Sequence, residues 1–258
     1  MRSRVGSIGK KVSVDALKDY LSSDLPQELP AYRQLESFSE NCLKELETAK
    51  EAEVKVAGVY CLFAPSELIR AAGAIPVGLC GKQEAPIAAA EQTLPPALCP
   101  LIKSSYGFAI TDTCPFFDAA DFVIGETTCD GKKKMFELMA KMKPLHLMHL
   151  PYTSSYPAAL EFWHAEILRF KTFLEDQTGR PIHADDVARQ IDLENQVRLS
   201  FQRLMELNLP GRGPITGRHL LPVMESKGFS VDVGNQLKGY LHDTRIGSSE
   251  NLSFGSLS

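Results

Sequence analysis

Four short apolar runs, separated by segments with helix-start and helix-stop signals, leave this chain few folds to choose from. Val54–Cys61 (VKVAGVYC) reads as a buried strand, and Pro65-Ser66-Glu67 then opens a short helix that stops at Gly73. Proline in the first turn and glycine just past the end is the asymmetry expected of a helix. Ala74–Leu79 is the second strand, with Pro76 marking an edge or an end. After a connection containing Pro86, Pro95 and Pro96, Cys99-Pro100 opens a helix over Leu101–Ile110, and Cys114-Pro115 opens a further turn. Phe122–Thr127 is a strand, Gly131–Met142 a helix and Leu145–Leu150 a strand. Strand, helix, strand at this pace is the βαβ pattern of a parallel sheet covered by helices.

The flanks are helical. Leu35, Phe38, Cys42, Leu46 and Ala49 recur at helical spacing within Tyr32–Val54, and Cys42 on that stripe reads as core. Residues 1–30 are polar, with one short helix expected around Val14–Leu21. Beyond Pro151, Leu160, Trp163, Ile167, Phe170 and Leu174 mark a helix ended by Gly179. Val187, Ile191, Val197, Phe201 and Leu204 mark a second, ended near Pro210-Gly211. Seven of the thirteen residues from Ile246 to Ser258 are glycine or serine, and this tail is expected to be disordered. The chain therefore divides into an N-terminal helical lead (1–53), an α/β cysteine-bearing domain (54–152), a helical segment (153–225) and a tail (226–258).

A formal net charge of −4 and a pI near 5.9 argue against a nucleic-acid or anionic-membrane partner. No apolar stretch is long enough to span a bilayer, and the basic N-terminus lacks the apolar core of an export signal, so a cytoplasmic location is expected. In that compartment the six cysteines are unpaired, each a small hydrophobe, a metal ligand or a reactive thiol. Their successive spacings of 19, 19, 19, 15 and 15 residues contain no CxxC, so a metal site must be assembled from separate loops.

In an open parallel sheet, ligands collect beyond the carboxyl ends of the strands. Cys61 ends one strand, Cys129 follows another and precedes a helix, and Cys99 stands at a helix start, where free N–H groups favour thiolate. Cys80 and Cys114 occupy similar positions and are weaker candidates. The plainer reading is that small cysteines suit tight strand-to-helix turns. Lys132-Lys133-Lys134 is either an anion site at a helix start or, more simply, a solvated helix face. His146 and His149, three apart on a strand, face opposite sides and cannot chelate together; core or helix-facing roles suit them better. Glu67 and Glu126 lie near Cys61 and Cys129 and are candidate general bases, with a helix-end role the simpler reading of Glu67. No Walker loop, GxGxxG, GxSxG elbow or HExxH is present.

These cysteine loops resemble the 2-hydroxyacyl-CoA dehydratase D-component family, which also contains benzoyl-CoA reductase subunits. The matching segments are Gly58–Gly78, Leu98–Phe108 and Cys114–Met135, with the helical stretch Trp163–Arg198 and its Glu175 and Gly179; together they cover about residues 30–225. The run Glu126-Thr127-Thr128-Cys129-Asp130-Gly131-Lys132-Lys133-Lys134 looks most like the subgroup carrying a double-cubane cluster. The resemblance implies a Rossmann-like α/β fold followed by helices, and an oxygen-sensitive, cytoplasmic iron–sulfur protein of an anaerobic or facultative organism. It implies Cys61, Cys99 and Cys129 as ligands of a 4Fe–4S or double-cubane cluster, with Cys80 and Cys114 weaker and Cys42 left out.

It further implies an ATP-hydrolysing iron–sulfur activator protein that delivers one low-potential electron, and a homo- or heterodimer with a related subunit. In the dehydratases that electron reduces a 2-hydroxyacyl-CoA thioester to a ketyl radical anion, hydroxide leaves, a β-proton is lost and the electron returns, giving an enoyl-CoA. The double-cubane subgroup implies instead a reductase of small unsaturated molecules. Family members carry a second α/β domain after the helices, whereas this chain ends in the Ser/Gly-rich tail. A truncated, split or shortened product is one expectation from that difference, and an inert fragment pairing with a complete subunit is another reading. A zinc-binding structural domain fits the cysteine spacing less well.

Overall fold

A computed structural model describes residues 38–61, 63–79, 81–206, 224 and 226–234. The helix expected around Val14–Leu21, the helix stop near Pro210-Gly211, the Ser/Gly-rich tail and Cys80 lie outside the described residues. The described residues group into two compact units: 46–187, and 38–45 together with 188–234. In chain order the elements are α1 (Phe38–Glu51), β1 (Val56–Val59), α2 (Ser66–Ala71), β2 (Ile75–Gly78), α3 (Ile87–Ala90), α4 (Pro100–Ile110), α5 (Pro115–Ala119), β3 (Phe122–Glu126), α6 (Asp130–Met139), β4 (Leu145–Met148), α7 (Ala159–Thr178) and α8 (Ala184–Glu206), followed by a 3-10 turn at Lys227–Phe229. The four expected strands and the helices between them are all present. The short helix α3 was not legible in the proline-rich connection.

The larger unit is an α/β fold on a parallel four-stranded sheet of order β2-β1-β3-β4. Parallel strands need a crossover between them, and helices returning on both faces bury the sheet from two sides. Side chains alternate across each strand, so neighbours serve opposite layers. On β3, Val123 joins Ile102, Tyr106, Met135 and Phe136 on one face, while Phe122 and Ile124 join Ile69, Phe170 and Leu174 on the other. All five residues of β3 are buried. Pro76 lies in β2 at the sheet's edge, as its chemistry requires. Among the described residues no helix is long and apolar enough to cross a membrane.

α7 ends at Gly179, whose φ of +66° is a left-handed conformation that glycine adopts without the penalty of a Cβ. Phe170 and Leu174 on its inner face are fully buried, and Trp163 and Ile167 pack partly against the same core. Leu160 is a correction: it shares their helical phase yet is 79% exposed. His146 of β4 takes the helix-facing role, with its ring 5.1 Å from that of Phe170 and 5.0 Å from that of Phe173. Its Nε2 is 3.4 Å from the Glu166 carboxylate, which the Arg169 guanidinium also grips.

Burial first, and then the Arg169 charge, hold His146 below its ordinary value despite Glu166. Arg169 and the His149 amide outweigh burial at Glu166 and hold that carboxyl low as well. Both folded-state values are depressed, so the associated stability is complete above the ordinary histidine value of 6.5 and falls as the pH drops below it. Urea midpoints are expected to fall between pH 7.5 and pH 5, with about 2 kcal/mol of the loss due to His146. His146→Phe should flatten that part of the profile. An equal slope in both proteins would show that His146 is not its source.

In the smaller unit Cys42 is buried, and burial, then the charge of Glu45, pushes its thiol up to about 12. It is a core residue, inert at neutral pH. Val197 is fully buried, and the Lys227 ammonium lies 6.0 Å from the centre of the Phe201 ring.

Candidate metal centre

The chain leaves β1 for β2 on one side and later returns to place β3 on the other. The carboxyl ends of β1 and β3 therefore flank the point where strand order reverses, the place where doubly wound sheets form their ligand crevice. Two of the predicted cysteines stand there. Cys61 follows β1, and Cys129 follows β3 as the residue capping the start of α6.

The backbone after β1 is held in an unusual shape. Cys61 has φ +72°, a left-handed conformation that costs a non-glycine residue about 1–3 kcal/mol and persists only where its surroundings impose it. Two anchors do so. On one side Tyr60 N–H donates to the Ile124 carbonyl at 2.9 Å. On the other, Glu126 Oε1 accepts from the N–H groups of Phe63 at 2.5 Å and Ala64 at 3.1 Å. Glu126 itself is fully buried at the end of β3, its Oε2 has no hydrogen-bond partner, and burial pushes its carboxyl up. The residue considered as a candidate base acts here as a clamp between β3 and the Cys61 loop.

Lys132 links the two cysteines. Its N–H donates to Cys129 Sγ at 3.5 Å, and its ammonium donates to Cys61 Sγ. Burial opposes the charge on Lys132, but the bond to Cys61 and the negative groups Cys61, Cys129 and Glu126 outweigh it and hold the ammonium above its ordinary value. The lysine run is thus divided. Lys133 and Lys134 fit the solvated-face reading, paired with Asp130 at 3.0 Å and Glu137 at 2.8 Å. Lys132 departs from it by turning inward. The only sequence signal for this was its place three residues after the capping cysteine, one helical turn on.

Cys99 caps the start of α4 and is exposed, without a side-chain bond to the helix. The heads of α4 and α6 are in close contact. A Cβ on Gly131 would stand 2.8 Å from both Leu98 Cδ1 and Ile102 Cδ1, so glycine lets the arm bearing Cys129 lie against the arm bearing Cys99 without displacing those side chains. Cys114 is placed elsewhere. It follows the eleven-residue α4, about 16 Å along the helix from Cys99, and caps α5, which leads into the start of β3. Its Sγ accepts from Phe117 N–H at 3.4 Å, and burial pushes its thiol up. Glu67 lies in the first turn of α2, where a negative charge meets the positive end of the helix dipole.

Among the described residues no three His, Cys, Asp or Glu side chains close together as ligands of one ion. A four-iron cubane is held differently, by thiolates from several arms, each on its own iron. The donor chemistry fits such a group: free thiols on separate arms, two of them bonded to one lysine, Cys129 through its amide and Cys61 through its ammonium.

Residues 61–241 match the family described as 2-hydroxyglutaryl-CoA dehydratase, D-component. The chain is 44% identical over 186 residues to a putative dehydratase subunit, YjiM, of Escherichia coli (strain K12), covering 71% of this chain and 48% of that protein. It is 24% identical over 175 residues to the lactoyl-CoA dehydratase subunit beta of Anaerotignum propionicum, covering 67% of this chain and 46% of that protein. The chain spans about half the length of these curated relatives. The matched range takes in Cys61, Cys99 and Cys129, and by that match the chain belongs to the 2-hydroxyglutaryl-CoA dehydratase D-component family.

Proposed function

We propose that this chain is the iron–sulfur component of a 2-hydroxyacyl-CoA dehydratase-type lyase, with Cys61, Cys99 and Cys129 as thiolate ligands of a 4Fe–4S or double-cubane cluster. The observation that carries the reading is the meeting of two cysteine arms on Lys132 at the strand-order reversal. The family, and a relative named for lactoyl-CoA, support a CoA thioester of a 2-hydroxy acid as the substrate class. When bound, such a cluster supplies single electrons at low potential.

The chain's own residues do the holding. Glu126 fixes the Cys61 loop, the close approach at Gly131 brings two arms together, and Lys132 donates to two sulfurs, by its amide to Cys129 and by its ammonium to Cys61. An ATP-hydrolysing activator protein delivers the electron, and a related subunit, identical or not, completes the assembly. Such a protein works in a reducing cytoplasm and is sensitive to oxygen.

Protein purified without oxygen is expected to hold about four irons or more per chain, with matching acid-labile sulfide and an EPR signal after dithionite reduction. Cys61→Ala and Cys129→Ala should lose that signal, whereas Cys114→Ala, at the far end of α4, should keep it. A chain that takes up no iron even after reconstitution would sink the cluster reading and leave an interaction subunit. The Glu126–Lys134 run favours a second reading, a double-cubane reductase of small unsaturated substrates, and about twice the iron of one cubane would support it.

A further inference from the structure

One residue serves both sulfurs at the crevice. The Lys132 amide donates to Cys129 Sγ because Cys129 caps its helix, a bond any residue there would make. The side-chain bond is particular to lysine. It carries an ammonium from the first turn of α6 to the end of β1, between elements 71 residues apart in sequence. The fully buried Glu126 stands behind it and adds a negative charge without an ion-pair contact. One prospective thiolate thus accepts from this cation, with a second and a carboxylate near enough to act on its charge. In a partly buried site, negative charge without compensation is costly, and each added electron makes it more so.

We propose that Lys132 is a positioning residue for the Cys61 sulfur, which compensates thiolate charge there and raises the reduction potential of the cluster. The inference rests on the cluster reading above and adds to it which residue tunes the site. Hydrogen bonds to the sulfurs and local net charge are among the factors that set iron–sulfur potentials. A cation beside a ligand sulfur favours the reduced, more negative form. Lys133 and Lys134 lie on the same turn but are engaged with Asp130 and Glu137 on the exposed side.

The test is a redox titration followed by EPR on the full chain, reconstituted without oxygen with ferrous iron and sulfide. Lys132→Met keeps the length of the stem and removes the charge, Lys132→Arg keeps the charge, and Lys133→Met is the control. Lys132→Met is expected to weaken reduction at least tenfold, equal to 59 mV downward for one electron. Lys132→Arg and Lys133→Met should stay near the parent value. If Lys132→Met holds no iron, retention in Lys132→Arg supports charge compensation, and loss in both shows a packing role and overturns it. Iron present with an unchanged potential in Lys132→Met removes this inference alone. No iron in the parent chain removes the cluster reading and this inference with it.

Discussion

Glu126→Ala is expected to release the loop that carries Cys61. The carboxylate is the described partner of two backbone N–H groups, on Phe63 and Ala64, and it reaches them from a fully buried position at the end of β3. Alanine leaves both donors without that partner and leaves space behind them. An unsatisfied buried donor costs about 1–3 kcal/mol, and the exposure of Phe63 puts this pair toward the lower end because water can reach it. The expected result is a global loss of about 1–3 kcal/mol. Locally, amide exchange at Phe63 and Ala64 should accelerate at least tenfold, with new protease sensitivity around residues 61–65. Glu126→Gln keeps the accepting oxygen and should retain most of the protection. Unchanged exchange at both amides in the alanine variant would show that the clamp does not hold the loop.

Phe170→Ala is expected to give the largest loss of stability. The ring is fully buried on α7, in the layer that covers Phe122 and Ile124, with Leu174 below it and His146 alongside. Removing an aromatic ring from such a site costs about 3–5 kcal/mol, the transfer term plus the cavity left behind. That is a large share of the 5–15 kcal/mol that holds a typical domain together. The denaturant midpoint should fall sharply, with the slope little changed. A loss under 1 kcal/mol would mean that α7 repacks onto the sheet or contributes little to it. Leu160→Ala, one residue into the same helix at an exposed position, serves as the contrast and should stay within ±0.5 kcal/mol.

The contrast between Phe170 and Leu160 shows what sequence pattern can and cannot carry. Periodicity sets the side of the helix that a residue faces, and by that measure the two are equivalent. It does not say how far the neighbouring layer extends, and Leu160 lies where little covers it. The strands and most helices were legible because their signals are local: apolar runs, prolines at starts, glycines at stops. α3 has Pro86 at its start, but its four residues, three of them alanine, show no period and no glycine stop. Cys61, Cys99 and Cys129 could be named because each stands at a strand end or helix start. That Cys114 belongs to another end of the fold could not be read, because its local setting, a cysteine before a proline at a helix start, is the same as that of Cys99. Glu126 and Lys132 were the hardest to read. Their contacts with the Cys61 loop join positions more than sixty residues apart and depend on β3 lying beside β1, which is a property of strand order.

The two outer strands also bear on how this unit meets other proteins. Along β2, the N–H groups of Ile75 and Leu79 donate inward to Lys55 and Val59, so the nitrogen of Pro76 points outward, where it has no hydrogen to offer a visiting strand. Along β4, the carbonyls of Pro144 and Met148 accept inward, and the outward carbonyl of Leu147 is occupied by the Arg169 guanidinium at 2.5 Å. One margin lacks a donor and the other has an acceptor already engaged, the kind of blunting that keeps sheets from polymerising edge to edge. Association by strand addition is discouraged at both margins, and a partner has to approach through helix faces or through the loops that carry the cysteines.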